Sequence, residues 1–79
     1  MRLSELQERL LALLARDMTV REMAQAVAYS QPFVYSELRA LRETLGVRTY
    51  AGAVAEGARL GLVKLATSQT VDKLYSQEP

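Results

Sequence analysis

The stretch that decides the fold is TVREMAQAVAYSQPFVYSELRALRETLG, residues 19–46, because two helix-starting signals follow each other closely in it. Thr19 with Glu22 forms a capping-box pattern, in which the hydroxyl and the carboxylate each accept a hydrogen bond from a free backbone amide. Ser30 is expected to cap the next helix, whose early Pro32 is tolerated because first-turn amides have no acceptor within the helix. Two helices joined by so short a connection must cross at a steep angle, which predicts a helix-turn-helix unit.

Apolar residues recur at spacings of three and four along both of these helices, which is typical of a helix with one buried face. The positions predicted to face inward are Met23, Ala24, Val27, Val34, Leu38, Leu41 and Leu45. The first helix of the pair is predicted to end near Ala28. The second is predicted to end at Gly46, where a left-handed residue often closes a helix.

Two further helices are predicted on either side of this pair. Ser4 with Gln7 repeats the capping-box pattern and predicts a helix from Glu5 to Arg16. Its buried stripe is predicted to contain Leu6, Leu10, Leu11, Leu13 and Leu14. Thr49 is expected to cap a last helix that ends at Leu60. The sequence therefore predicts an all-α domain of four helices.

From residue 64 the composition turns polar, so we predict a helical domain over residues 1–63 and a polar C-terminal extension over residues 64–79. Within the extension, Val71, Leu74 and Tyr75 could form the apolar face of a short fifth helix. A frayed tail is the alternative. The apolar stretch near the N-terminus is too short to span a membrane, so no membrane partner is expected.

The composition excludes most site chemistry. The 79 residues contain neither cysteine nor histidine, so a zinc finger, a disulfide scaffold and a triad with an imidazole base cannot be built. We therefore expect a binding module without metal, cofactor or catalytic residue, and not an enzyme. The net charge of +1 is small for a nucleic-acid binder. Eight of the ten cations are arginines, however, and the planar guanidinium suits phosphate and guanine.

Several short motifs between Leu3 and Val63 follow a known pattern. In chain order they are Arg21-Glu22-Met23-Ala24, Phe33-Val34-Tyr35, Leu45-Gly46-Val47-Arg48, Ala53-Val54 and Gly61-Leu62-Val63. They resemble, without a gap, the DNA-binding domain of the LuxR/GerE family of transcription regulators, which has Lys-Glu-Ile-Ala, Thr-Val-Lys, Leu-Gly-Val-Arg, Ala-Val and Gly-Leu at these places. The resemblance implies a LuxR-type helix-turn-helix domain, expected to stand alone in a bacterial or phage-encoded cytoplasmic protein.

The resemblance also implies sequence-specific binding of double-stranded DNA in transcription regulation, with the third helix in the major groove. If the apolar face of this helix is buried, the opposite face presents the predicted base contacts Gln31, Tyr35, Ser36 and Arg39. Arg39 can fork onto guanine, Gln31 can pair with adenine, and Tyr35 can reach a phosphate or a thymine methyl group. The predicted phosphate contacts are Thr19, Arg21, Ser30 and Arg48, two of them through helix N-terminal amides.

The fourth helix is rich in small residues, and Ala51, Ala55, Gly57 and Ala58 recur at short spacing on it. Such residues let another backbone approach closely. They can pack within the protomer or form a two-fold dimer contact, and the resemblance favours a homodimer through this helix. A homodimer would read two half-sites about one helical turn apart.

Three residues depart from the family pattern. Tyr35 stands where relatives usually have lysine, Glu37 where they have a basic or polar residue, and Ala28 where they have glycine. A left-handed backbone at Ala28 would cost about 1–2 kcal/mol. For Arg39 and Arg42, ordinary surface ion pairs with nearby glutamates are the alternative to DNA contact.

A second function stays open at this point. The chain can be a helix-turn-helix scaffold that binds a protein such as RNA polymerase, a sigma factor or another regulator. The near-neutral charge, Glu37 and the aromatic pair Phe33 and Tyr35 favour this reading, because exposed aromatic residues are typical of protein contacts.

Overall fold

A computed structural model describes residues 2–63, and this part of the chain is all-α, without a strand. Its helices are α1 (Glu5–Ala15), α2 (Val20–Val27), α3 (Gln31–Leu45) and α4 (Tyr50–Arg59). The predicted all-α, four-helix architecture is therefore confirmed for the described residues. The predicted fifth helix and the extension over residues 64–79 lie outside them and stay predictions.

Each helix begins at the polar residue that the sequence indicated. In α1, Ser4 Oγ accepts from the Gln7 amide and Gln7 Oε1 accepts from the Ser4 amide, both at 3.1 Å. In α2, Thr19 Oγ1 accepts from the Glu22 amide at 3.2 Å and Glu22 Oε1 accepts from the Thr19 amide at 2.9 Å. Both capping boxes are complete, and they differ in that only the second carries a charge.

The other two helices have single caps. The Phe33 amide donates to Ser30 Oγ at 3.3 Å at the start of α3, and the Gly52 amide donates to Thr49 Oγ1 at 2.9 Å at the start of α4. Gly46 closes α3 in the left-handed conformation with φ 70°, as its position predicted. The four starts and the end of α3 are thus fixed by local sequence.

α3 lies against all three other helices, and α4 also contacts α1. The largest fully buried side chains are Leu10, Leu11, Met23, Val34, Leu38 and Leu41. Every position predicted to face inward on α2 and α3 is buried, whereas Leu6 and Leu14 of the predicted α1 stripe are half-buried. Fully burying one such side chain contributes about 1.5–3 kcal/mol, so the α3 stripe makes a large contribution to folding.

Gly57 lies where α4 crosses α1. A Cβ atom on Gly57 would stand 2.6 Å from Leu11 Cδ2 and 3.2 Å from Val63 Cγ2, so a larger residue here would have to displace the buried Leu11 side chain. Gly57 is buried inside the protomer. The small size of this residue thus serves packing between α1 and α4, which is the alternative that the sequence left open, and a dimer contact of Gly57 stays a prediction.

The turn between α2 and α3 contains a left-handed residue that is not glycine. Ala28 has φ 61° and ψ 39°, and the Tyr29 amide that follows donates to the Ala24 carbonyl at 3.1 Å. A residue with a Cβ atom pays about 1–2 kcal/mol for this conformation. The sequence predicted strain at Ala28 if its backbone is left-handed, and the backbone is left-handed.

We expect Ala28→Gly to raise the free energy of unfolding by about 0.5–1 kcal/mol. Relief of the left-handed strain is worth about 1–2 kcal/mol. The greater freedom of glycine in the unfolded chain offsets about 0.4–1 kcal/mol of that gain. Urea denaturation followed by circular dichroism measures the change.

The matched control is Ala12→Gly, because Ala12 is exposed in the middle of α1 with ordinary helical geometry. This change should lower stability by about 0.5–1 kcal/mol, since glycine is a poor helix former. If both variants lose stability by similar amounts, the turn does not strain Ala28.

Candidate nucleic-acid interface

The residues of α3 that point away from its buried stripe form one exposed face. Gln31, Tyr35, Ser36 and Arg39, the predicted base contacts, are all exposed, and Tyr35 has 52% of its surface accessible. Ser36 and Arg39 lie three residues apart and therefore share one side of the helix. The structure thus presents the four residues on one helix, and their contact with bases stays a prediction.

Arg39 forms an ion pair within α3. Its Nε lies 3.3 Å from Glu43 Oε1, and both side chains are largely exposed. Exposed pairs of this spacing are worth about 0.3–0.5 kcal/mol. The surface pairing considered from the sequence is therefore present for Arg39, and it is weak enough for the guanidinium to exchange it for another acceptor.

Arg42 has a structural role that the sequence analysis missed. Its Nη1 donates to the Arg48 carbonyl at 3.1 Å, and its guanidinium carbon lies 5.0 Å from the centroid of the Tyr50 ring. This places a cation over an aromatic face in a half-buried position. Arg42 holds the connection between α3 and α4 instead of pairing with a surface carboxylate. An arginine in the last turn of a helix was the available signal.

The four predicted phosphate contacts differ in whether their donor groups already have an acceptor. Arg21 and Arg48 are exposed. The Thr19 amide already donates to the Glu22 carboxylate, so a phosphate there would meet a negative charge. Of the four predicted contacts, Thr19 is thus the one whose backbone amide already has a carboxylate partner. The first turn of α3, which Ser30 caps, has no acidic residue, and its positive end is not neutralised in this way.

The capping box of α2 also affects the pKa of its glutamate. Hydrogen bonds from the Thr19 backbone amide, and secondarily with the Thr19 side chain, lower the pKa of the exposed Glu22 carboxyl below its ordinary value. The carboxylate is favoured because these bonds, and the positive end of α2, stabilise its charged form. Glu22 therefore stabilises the start of α2 mainly when it is ionised.

Three of the predicted dimer residues lie at the surface of α4. Ala51 and Ala55 are exposed, and Ala58 is half-buried. Ala51 and Ala55 line an apolar groove of about 540 Å³ between α4 and the end of α1, where Leu14 and Met18 form the opposite wall. With Gly57 buried inside the protomer, Ala51, Ala55 and Ala58 are the predicted dimer residues that stay accessible, and their contact with a second protomer stays a prediction.

The exposed aromatic pair consists of Tyr29 and Phe33, not of Phe33 and Tyr35 as the sequence suggested. The Tyr29 and Phe33 ring centroids are 4.6 Å apart with the planes tilted by 32°. Phe33 and Tyr35, two residues apart on α3, point to different sides of the helix, whereas Tyr29 comes from the turn before it. The pair leaves 51% of Tyr29 and 40% of Phe33 accessible.

Residues 2–63 contain neither a cluster of metal-ligating side chains nor a membrane-spanning helix. No three acidic, histidine or cysteine side chains gather there in a way that could hold a metal ion. In the same residues, the helices lack the length and the apolar run needed to cross a bilayer.

Among solved structures, the chain is similar to one titled "Structure of Transcription factor, GerE". The two share 25% sequence identity and superpose with a TM-score of 0.76, over 80% of this chain and 94% of that one. No protein-family model matches the chain, and no curated protein sequence does. The similarity in structure confirms the resemblance that the motifs predicted.

We expect Glu22→Gln to remove part of the acid sensitivity of folding. The lowered pKa of Glu22 means that its carboxylate contributes stability above the ordinary glutamate pKa and loses it as the pH falls through the lowered value. Glutamine keeps an acceptor but carries no charge. The wild type should therefore be more stable than Glu22→Gln at neutral pH, and this difference should vanish in acid.

Urea denaturation in steps from neutral to acidic pH measures the difference. The reverse exchange in α1, Gln7→Glu, is the matched control and should add a dependence of the same sign, since Gln7 occupies the same place in its own capping box. A stability difference between the wild type and Glu22→Gln that is constant over pH would contradict this role of Glu22.

Proposed function

We propose that this chain, which has the fold of a GerE-like, LuxR-type helix-turn-helix domain, binds double-stranded DNA sequence-specifically as a transcription regulator. The observation that supports this proposal best is the exposed polar face of α3, formed by Gln31, Tyr35, Ser36 and Arg39. The opposite face of α3 packs against the three other helices. The proposed activity is binding, without catalysis or a cofactor, in the cytoplasm of a bacterium or as a phage-encoded protein.

In the proposed complex, α3 lies in the major groove. A helix of 15 residues is about 22 Å long, and the groove is about 12 Å wide, so the exposed face can reach several base edges. Arg39 exchanges its ion pair with Glu43 for the acceptor pair of a guanine. Gln31 pairs with adenine, and Ser36 donates to or accepts from the neighbouring base.

Phosphate contacts position the domain. Arg21 at the start of α2 and Arg48 after α3 are exposed guanidinium groups that we assign to the DNA backbone. The N-terminus of α3 at Ser30 adds backbone amides without a carboxylate beside them. Thr19 contributes less, because Glu22 occupies its amide. The net charge of +1 matters less here than the placement of these cations.

We assign dimer formation to the outer face of α4. Ala51, Ala55 and Ala58 allow a second α4 to approach closely, and the apolar groove beside them would be covered in the dimer. One small module makes few contacts. A homodimer that reads two half-sites about 10 base pairs apart makes the second contact effectively intramolecular, which raises affinity without new residues.

A protein-interaction module that binds RNA polymerase, a sigma factor or another regulator is the second candidate. The exposed Tyr29 and Phe33 rings favour it, since a stacked aromatic pair is typical of a protein contact. Glu37, half-buried on α3, and the small net charge agree with it. A protein contact and DNA binding differ sharply in their dependence on salt.

For DNA binding we expect affinity to fall steeply from low to moderate salt, because binding to phosphates releases condensed counterions. Arg21→Ala should weaken all sequences alike and reduce the logarithmic salt slope by about 1. Arg39→Ala should cost about 1–3 kcal/mol on the preferred site and relax its sequence preference. Fluorescence anisotropy with labelled duplexes selected from random DNA measures these quantities.

Arg2→Ala is the control, since Arg2 is an exposed arginine before α1 and is not among the residues assigned to DNA or to the dimer. It should change neither the slope nor the preference. Absence of binding to any selected duplex at low salt would reject the DNA proposal and leave the protein-interaction module. Equal behaviour of Arg21→Ala and Arg39→Ala would reject the roles given to these two residues.

For the dimer we expect Ala55→Arg to produce a monomer, because it buries an unpaired charge at the α4 contact, at a cost on the order of several kcal/mol. Ala12→Arg places the same charge on an exposed alanine of α1 and should leave the dimer intact. Sedimentation equilibrium gives the mass of each. A dimeric Ala55→Arg, or a wild type that is monomeric even on DNA, would remove α4 from the interface.

A further inference from the structure

The first half of α3 and the turn before it carry no charge. From Tyr29 to Ser36 the sequence reads YSQPFVYS, and the first charged residue after this stretch is Glu37. Only Val34 of these residues is buried, so an uncharged and partly aromatic surface is presented to solvent. The nearest exposed cation along α3 is Arg39, which is paired with Glu43.

This uncharged stretch includes the part of α3 that contacts the bases in the function proposed above. In a helix-turn-helix complex the N-terminal residues of the second helix contact the base edges. A guanine offers two acceptors in the major groove and calls for a charged or multiple donor. Tyr35, which is 52% accessible, has only one hydroxyl and a large ring. It is poorly suited to guanine.

Thymine is the base that presents an apolar group in the major groove, its C5-methyl. A methyl group needs a carbon surface, and an exposed aromatic ring supplies one. Among residues 2–63, the aromatic pair is Tyr29 with Phe33, whose rings are packed on each other, and no aromatic ring of these residues is stacked on Tyr35. Tyr29 is as exposed as Tyr35, but it lies before α3 and packs on Phe33, so Tyr35 is the ring on the exposed face of α3 that is not packed on another ring of residues 2–63.

We infer that Tyr35 sets a preference for thymine, by packing its ring against the C5-methyl group at one position of each half-site. The inference rests on the proposed DNA binding and adds to it which base is chosen and by which residue. A hydrogen bond from the Tyr35 hydroxyl to a phosphate is the competing role. The two roles differ because a phosphate contact does not depend on the methyl group.

The test replaces thymine by deoxyuridine, which removes the methyl group and leaves the pairing unchanged. The probe is the duplex that the full chain selects from random DNA, with one thymine exchanged at a time and affinity measured by fluorescence anisotropy. At the contacted position we expect binding about fourfold weaker, which corresponds to about 0.8 kcal/mol for one buried methyl group. Tyr35→Phe should keep this discrimination, because the ring remains.

Tyr35→Ala should bind the thymine and deoxyuridine duplexes equally. Tyr29→Ala is the matched control, since Tyr29 has nearly the same exposure but precedes α3, and it should leave the discrimination intact. Circular dichroism confirms that each variant is folded.

Equal binding of thymine and deoxyuridine duplexes by the wild type overturns the inference while DNA binding stands. Discrimination that survives in Tyr35→Ala also overturns it, since another residue then contacts the methyl group. Loss of affinity in Tyr35→Phe without loss of discrimination in Tyr35→Ala assigns Tyr35 to a phosphate instead. Failure to bind any duplex overturns the proposed function, and the inference with it.

Discussion

Burial of one stripe on α3 is the interaction on which the rest of the domain depends. Val34, Leu38 and Leu41 have no accessible surface, and α3 touches each of the other three helices. Rotating α3 about its axis would expose these side chains, at a cost of about 1.5–3 kcal/mol for each. The core therefore fixes which residues α3 turns outward. Packing thus determines which positions of α3 face outward, but it does not determine which side chains occupy those positions.

Local signals accounted for most of the fold. The starts of α1 and α2 could be predicted from the sequence, because a capping box needs only two residues three apart. Ser4–Gln7 and Thr19–Glu22 both form one. Gly46 was readable because few other residues adopt a left-handed conformation without strain. The conditional strain at Ala28 is present for the same reason. These features depend on neighbours in sequence, so the sequence alone contains them.

The candidate site was predicted less completely, because its details depend on distances between helices. Gly57 has the same local appearance as Ala55, and only the position of Leu11 shows that one is interior and the other is not. The contact of Arg42 with Tyr50 depends on the bend between α3 and α4. No spacing rule covers a bend of this kind. The exposed set on α3, by contrast, followed directly from its helical period.

The small residues of α4 divide into two sets that experience different constraints. Ala53 and Gly57 face the core, where a larger side chain at Gly57 would have to displace Leu11, while Ala51 and Ala55 face outward. Mutational drift can therefore act on the outer set without unfolding the domain, but the inner set is held by packing. Substitutions at the outer alanines would therefore change the exposed surface of α4 while the backbone keeps its place in the core.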